Sequence, residues 1–500
     1  MANDVLETPV GRLLVSVAAG VAGLAGSYAV TGYAPTFVAS PVERALARSM
    51  PGIVVSYAIT YLGSLGQRLN LVAALVIVVA FIALAARASL LTGAATNNRL
   101  VPLVGTAVLT WLVAFVLTNE PVLSAGPAVA AAAIVGLAQL LDGASDRLTP
   151  VSETRRRVLT TIGAALGVSA LGYALGNRRP ATAFGADAPT LEAPGADLTD
   201  VQRQLATADT SSFRIDGLEP LVSDRFYEVD INSINPTIDA EEWSLSITGA
   251  VEQEVTLDYD DILEMDAENR FSTLRCVGEA LNGWKMDNAL WTGVPVDPLL
   301  EQAGVRSDCE CVMLRADDGY FEEFPLPALR GGLLAYGMNG AVLPRGHGYP
   351  VRALVPGHWG EVNVKWLTEI ELLEREADGY WENRGWHGTG PVKPIAKLHY
   401  DAELGNGRRR LAGHAYAGLR GVSRVEVSTD DGETWAEATL SDPLPGEDVW
   451  RQWQYTYERP GRPHTVVVRM VDGDGTVQTD EPANPFPSGP SGWVSKRFSG

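Results

Sequence analysis

Four long apolar runs, at residues 12–33, 70–87, 100–118 and 122–141, crowd the first third of this 500-residue chain. Each is close to the ~20 helical residues needed to cross a bilayer core. In hydrocarbon every backbone N–H and C=O must be satisfied within its own segment, so the expected form is helical. A fifth run, VLTTIGAALGVSALGYALG at 158–176, is shorter and rich in Gly and Ala. Between the first two runs, Glu43, Arg44 and Arg48 mark an external amphipathic or re-entrant stretch, and 51–66 is a further candidate span. Arginine placement separates the possible counts, because cytoplasmic loops carry the excess of positive charge. With five spans and the N-terminus inside, Arg87, Arg99 and the cluster Arg147, Arg155, Arg156 and Arg157 fall on the cytoplasmic side. Six spans with the N-terminus outside is the alternative. Residues 1–180 are therefore expected to form an α-helical membrane bundle of about five transmembrane helices, with the remainder on the extracytoplasmic side.

The charge balance changes at the same boundary. Residues 1–180 carry 12 Lys+Arg and 7 Asp+Glu, whereas residues 181–500 carry 27 and 53. The chain has five lysines, Lys285, Lys365, Lys393, Lys397 and Lys496, against 34 arginines. An acidic, lysine-poor surface suits solubility in concentrated salt, where repulsion is screened within a few ångströms, so a halophile is expected. It also argues against a nucleic-acid partner, which needs basic patches. All six histidines lie in the acidic part, so no histidine pair is available to hold a haem between the spans. TRRRVLTT at 154–161 can be read as an internal twin-arginine export signal or as the positive flank of a stop-transfer helix.

Residues 181–220, rich in Ala, Pro, Asp and Thr without sustained periodicity, are expected to be a linker. Over 221–388, short strand patterns such as WSLSITG, FSTLRC and VRALVPG alternate with helical ones such as TLDYDDILEM, the texture of an α+β domain. From 389 to 500, alternating apolar residues broken by DDG and DGDG turns predict an immunoglobulin-like β-sandwich.

Three cysteines occur. Cys309 and Cys311, two apart in DCECVML, are expected to be a structural pair of small apolar residues, and no disulfide framework is expected. Cys276, in STLRCVGEALNGWKMDNALWTGVPV, has three possible roles: packing residue, metal ligand or nucleophile. No protease-type signature surrounds it. A thiolate can bind a transition metal, but one cysteine without a histidine cluster cannot complete a protein-only site, so a metal would have to bring its own ligands.

Several blocks in order, TLRCVGEALNGWKMDNALWTGVPVDPLLEQAGV, DDGYFEEFPLPAL, LLAYGMNGAVLPRGHGYPVRALVPGHWGEVNVKWLTEIEL and GYWENRGWHG, resemble the sulfite-oxidase family of molybdopterin oxidoreductases. GHAYAGLRGVSRVEVSTDDGETWAEATL is similar to that family's immunoglobulin-like dimerisation domain. The resemblance implies one molybdenum–molybdopterin per chain, with Cys276 as the protein thiolate on the metal and the pterin supplying further sulfurs. It also implies that His347, Arg352 and Lys365 hold the pterin phosphate and ring, a pairing natural for a dianionic phosphate. Asp230, Asn232 and Asp318 fall where the family makes further pterin contacts, and Trp291 and Trp386 lie in blocks bordering the metal pocket. Arg451 matches a substrate-side arginine contributed by the sandwich.

The family's other substrate arginines are missing: those places hold Leu281 and Asp230, which weakens attraction for sulfite and leaves S-oxides or another small oxyanion open. The implied reaction is two-electron oxygen-atom transfer on a small sulfur or oxyanion substrate, in either direction. With no C-x-x-C-H motif and no iron–sulfur cysteine set, no haem or cluster is expected in this chain. Electrons are expected to pass to a separate electron-transfer protein or a quinone-linked partner, and a homodimer through the C-terminal domain is implied. Membrane helices, a linker and a sandwich would also suit a non-enzymatic adhesion or scaffold protein.

Overall fold

The computed structural model describes residues 6, 8–58, 62, 64–143, 150–177 and 189–499. The chain divides into two compact units: one comprises Met1–Met50, Gly63–Thr182 and Asp230–Thr237, the other Pro51–Leu62, Ala183–Val229 and Ile238–Gly500.

The first unit is built on α1 (Pro9–Thr31) and α2 (Ser40–Ser49). After α3 (Gly52–Tyr57), which packs with the second unit, come α4 (Ser64–Thr96), α5 (Leu100–Thr118), α6 (Ala125–Gly143) and α7 (Pro150–Gly176). Three helices are long and apolar enough to cross a membrane, Pro9–Thr31, Leu65–Thr96 and Leu100–Thr118. Ala125–Leu141 and Gly163–Gly176 are shorter apolar helices, so the expected five spans meet the length requirement at three positions among the described residues. TRRRVLTT lies within α7, and Arg147 lies outside the described residues.

Helix α1 packs against α4, α6 and α7. Small residues permit this: a Cβ on Gly26 would lie 2.6 Å from both the Gly126 carbonyl oxygen and the Ala130 Cβ of α6. Between apolar helices in lipid, such close backbone approach supplies packing that hydrophobicity alone cannot. The stretch expected to be amphipathic is α2, and its Glu43 is buried. The Glu43 Oε1 accepts hydrogen bonds from Asn70 Nδ2 (2.8 Å) and Ser233 Oγ (2.9 Å), holding the 230–237 segment in this unit.

The second unit begins before the expected catalytic domain. The linker assigned to 181–220 is corrected from residue 189 onward; residues 178–188 lie outside the described residues. Asp197 caps α8 (Leu198–Ser211), and Leu191, Val201 and Ala208 are buried. The apolar positions Val201, Leu205 and Ala208 recur at helical spacing, but Ala, Asp and Thr around them hide the pattern.

Strands β1 (Ser244–Gly249), β2 (Val255–Asp258), β5 (Cys311–Ala316), β6 (Phe321–Pro325) and β10 (Leu367–Leu372) form one sheet in the order β2-β1-β10-β5-β6, with β1 and β10 parallel. Strands β3 (Glu268–Arg275), β4 (Met286–Pro295), β7 (Leu333–Met338), β8 (Ala341–Val342) and β9 (Arg352–Leu354) form another, in which β7 pairs with β4, β8 and β9.

The C-terminal sandwich has β11 (Ile395–Ala396), β13 (Arg408–Tyr416), β17 (Arg451–Glu458) and β16 (Thr439–Leu440) in one sheet, with β12 (Tyr400–Glu403) also on β13. The facing sheet is β15 (Ala436–Glu437), β14 (Val422–Ser428), β18 (His464–Asp472) and β19 (Val494–Phe498). Inward residues of both sheets, Leu411, Val425, Trp453, Val466 and Met470 among them, share one core.

One cysteine expectation is corrected: Cys309 and Cys311 are joined by a disulfide. Glu310 adopts φ 49°, which bends the backbone and sets the Cα–Cα separation at 5.2 Å. That lies inside the span a disulfide bridges, which a straight strand at this spacing would approach only at its upper end.

Candidate active site around Cys276

Strands β3 and β4 pair up to Arg275 and Met286, so Cys276–Lys285 is the connection at one end of this hairpin. The ladder continues into it, with Cys276 N–H donating to the Lys285 carbonyl at 3.0 Å. Cys276 is the one free cysteine and is partly buried. Burial pushes its thiol up; Lys285 opposes this, while Glu279 and Glu361 push the same way.

A second group forms on the 345–366 stretch. The 3₁₀ turn Arg345–His347 leads into β9, which starts at Arg352. The buried Arg352 donates to the carbonyls of His347 (3.0 Å) and Asn363 (2.9 Å), and its guanidinium lies 5.1 Å from the centre of the Trp291 ring. Lys365 Nζ donates to the Gly346 carbonyl at 2.7 Å. Trp291, fully buried on β4, meets Phe226 edge-on at 5.4 Å, and Phe226 meets His347 at 5.5 Å. Burial together with Lys365 and Arg352 lowers His347 to about 3, so the ring is neutral. Glu228 is the carboxylate that acts on both His347 and Arg345.

Tyr227 connects the two groups. A Cβ at Gly360 would lie 2.9 Å from its hydroxyl oxygen, so glycine is needed there for close approach. Burial raises the Tyr227 hydroxyl, Cys276 adds to the rise, and Arg352 opposes it. Sequence alone does not single out Tyr227, because a tyrosine before a loop carries no spacing signal of its own.

A third feature was not anticipated: buried carboxyls behind Glu361. The Tyr320 hydroxyl lies 2.8 Å from Glu322 Oε2 and 2.9 Å from the Glu361 carbonyl oxygen. Glu322 is raised well above the ordinary carboxyl range by burial and by the neighbouring carboxyls of Glu382 and Glu361. Burial and Glu382 raise Glu361 to about 8.

The remaining residues singled out in the sequence sit elsewhere. Asp230 and Asn232 belong to the first unit. Asp318 lies in the β5–β6 turn, where its Oδ1 accepts from the Tyr320 backbone N–H at 2.9 Å. Trp386 is buried against Trp381 and Phe486 within the shared core. Arg451 Nε donates to the Ser441 carbonyl at 3.1 Å. Leu281 packs on the apolar core.

Among the described residues no group of three or more His, Cys, Asp and Glu side chains could hold a metal ion. A metal at Cys276 would therefore bring other ligands with it, and the cations of the 345–366 stretch suit an anionic carrier. Lys365 and Arg352 both bear on His347, and a guanidinium and an ammonium side by side are the groups that a phosphate binds.

The profile of an oxidoreductase molybdopterin binding domain matches residues 232–381, and that of a Mo-co oxidoreductase dimerisation domain matches 392–483. Mitochondrial sulfite oxidase of Mus musculus is 30% identical over 302 residues, which is 49% of this chain and 55% of that protein. The uncharacterized oxidoreductase YuiH of Bacillus subtilis is 30% identical over 154 residues, covering 30% of this chain and 76% of that protein. The crystal structure of the sulfane dehydrogenase SoxCD from Paracoccus pantotrophus superposes with a TM-score of 0.43 at 21% identity, covering 49% of this chain and 71% of that one. The chain spans about half the length of the mammalian sulfite oxidases that it matches.

Proposed function

This chain belongs to the sulfite-oxidase family of molybdopterin-dependent oxidoreductases, and from that premise we propose that it performs oxygen-atom transfer on a small uncharged sulfur substrate, an S-oxide rather than sulfite. Membership makes it an enzyme, in place of the adhesion or scaffold alternative. Cys276 would bind the molybdenum, and His347, Arg352 and Lys365 would hold the pterin phosphate. When bound, the cofactor supplies the two-electron oxygen-atom chemistry.

The observation that carries the substrate preference is what stands at the family's anion-side arginine places: Leu281 is apolar and packs on the core, and Arg451 already donates to the Ser441 carbonyl. A dianion there lacks the charge-assisted contact, worth about 1.5–3 kcal/mol, that a guanidinium in place of Leu281 would supply. Reduction of an S-oxide consumes two protons and two electrons and releases water. Glu361, protonated up to about pH 8, can donate a proton from its carboxyl.

The electrons come from a separate one-electron carrier or a quinone-linked partner, and the matched dimerisation domain supports a homodimer. The apolar helices support membrane anchoring. We place the catalytic unit on the extracytoplasmic side of a five-span bundle; because the cofactor is loaded into folded protein, export would follow a twin-arginine route. Asp318 remains a proposed pterin contact, and Trp291 and Trp386 proposed pocket walls.

Metal and pterin analysis of the purified protein, followed by turnover with dye mediators on dimethyl sulfoxide, sulfite and chlorate, tests this reading. One molybdenum per chain and faster turnover of the sulfoxide are expected. Absence of molybdenum after expression in a cofactor-competent host, or a preference for sulfite, would overturn it.

A further inference from the structure

The chain uses lysine five times, and one of the five, Lys397, is fully buried. Its ammonium lies 2.6 Å from Glu279 Oε1 and 2.7 Å from Oε2, and donates to the Gly283 carbonyl at 2.9 Å. Glu279 is also buried, and its carboxylate accepts from Arg275 Nε (2.8 Å) and from the Lys285 backbone N–H (3.0 Å). Glu279 is therefore the hub of the connection that carries Cys276. Arg275, fully buried, stacks over Trp359 at 4.8 Å and donates Nη1 to the Lys393 carbonyl; its Nη2 has no hydrogen-bond partner among the described residues.

The sandwich segment around Lys397 is zipped to the same connection. Asn282 exchanges two hydrogen bonds of 2.8 Å with the Leu398 backbone, and His399 Nε2 lies 3.1 Å from the Gly283 carbonyl oxygen. Neutral contacts already fasten the two segments, so the buried ions are not needed for attachment. A buried ion triad is costly to desolvate and a poor source of stability. Two cations against one carboxylate leave a net positive charge beside the Cys276 connection, and the Glu279 N–H donates to the Cys276 carbonyl at 3.4 Å. Burial lowers Lys397 to about 8 and Glu279 opposes that fall, so the ammonium stays charged at neutral pH.

We propose that Lys397 and Glu279, with Arg275, are positioning residues that set the reduction potential of the metal held by Cys276, the sandwich lending one charge to a site in the neighbouring domain. The inference rests on the cofactor reading above. A net positive charge favours the more reduced, more negative metal, so neutralising Lys397 should lower the potential and neutralising Glu279 should raise it.

The test is potentiometric titration of the molybdenum(V) EPR signal at pH 7 in the full-length loaded enzyme and in Lys397→Met, Lys397→Arg and Glu279→Gln, with metal and pterin content measured alongside. Lys397→Met should move the midpoint downward, Glu279→Gln upward, and Lys397→Arg should stay near wild type. A purely mechanical role predicts changes of the same sign for the first two, since both loosen the same contacts. Changes of one sign, or none, overturn the inference alone; a wild type without molybdenum overturns it together with the cofactor reading. Should Lys397→Met fail to fold, the direction of the Glu279→Gln midpoint decides: upward supports, downward or zero overturns.

Discussion

At the scale of single residues, the proposed chemistry turns on a thiol and on cations that lie far apart in the chain. Cys276→Ser should drop turnover to background while circular dichroism stays unchanged; undiminished activity would refute the ligand role. Arg352 contributes both a charge and the packing of its guanidinium on Trp291. Arg352→Met keeps much of the packing and removes the charge, so pterin content should fall by roughly 10–100-fold while the fold survives, as for partners that support a bound cofactor. Content equal to wild type would place the phosphate elsewhere. Cys276, His347, Arg352 and Lys365 are proposed from sequence because each sits in a long ordered motif. Tyr227, Glu361 and Glu322 are not: a buried carboxyl is unusual because of what surrounds it, and those surroundings come from distant segments of the chain.

At the scale of elements, Asp448 ties the β3–β4 sheet to the sandwich. Its carboxylate oxygens accept from Ser272 Oγ and Tyr416 Oη, each at 2.5 Å, and its carbonyl accepts from the Thr273 N–H at 2.9 Å. Burial, opposed by those donors, raises its carboxyl to about 7 from an ordinary 3.8. The folded state therefore holds this proton more tightly than the unfolded chain does. The stabilisation is complete below pH 3.8 and is lost as pH rises towards and through 7. Asp448→Asn should remove that dependence. Calorimetry from about pH 5 to 9 should show wild type losing on the order of 1–3 kcal/mol more than the variant, at about 1.4 kcal/mol for each tenfold difference in proton affinity. Parallel curves would mean that the carboxyl ionises normally.

Elements with a strong period were legible: the long apolar helices, the alternating strands of the sandwich and the FSTLRC strand. Helix α8 was not, because Ala, Thr and Asp mask three apolar positions. The Cys309–Cys311 disulfide was not either, because it depends on a left-handed Glu310 that no neighbouring residue announces.

For the whole molecule, charge sets the conditions of stability. The acidic excess of 53 Asp+Glu over 27 Lys+Arg in residues 181–500 implies self-repulsion that molar salt, with a Debye length of about 3 Å, would screen. Circular dichroism should show the protein losing structure at low ionic strength and regaining it at molar potassium chloride; full stability in dilute buffer would remove the halophile reading.

By itself the sequence determined that long apolar helices precede an acidic α+β domain and a β-sandwich, since hydropathy, alternation and net charge are properties of consecutive residues. It also determined, through ordered motifs, which cysteine to follow. Only the tertiary structure decided that the 230–237 segment packs with the helices, that carboxyls gather behind Glu361, and that a lysine of the sandwich is buried against Glu279. Those outcomes depend on which distant groups lose their water together, and desolvation is a property of a place in space rather than of a position along the chain.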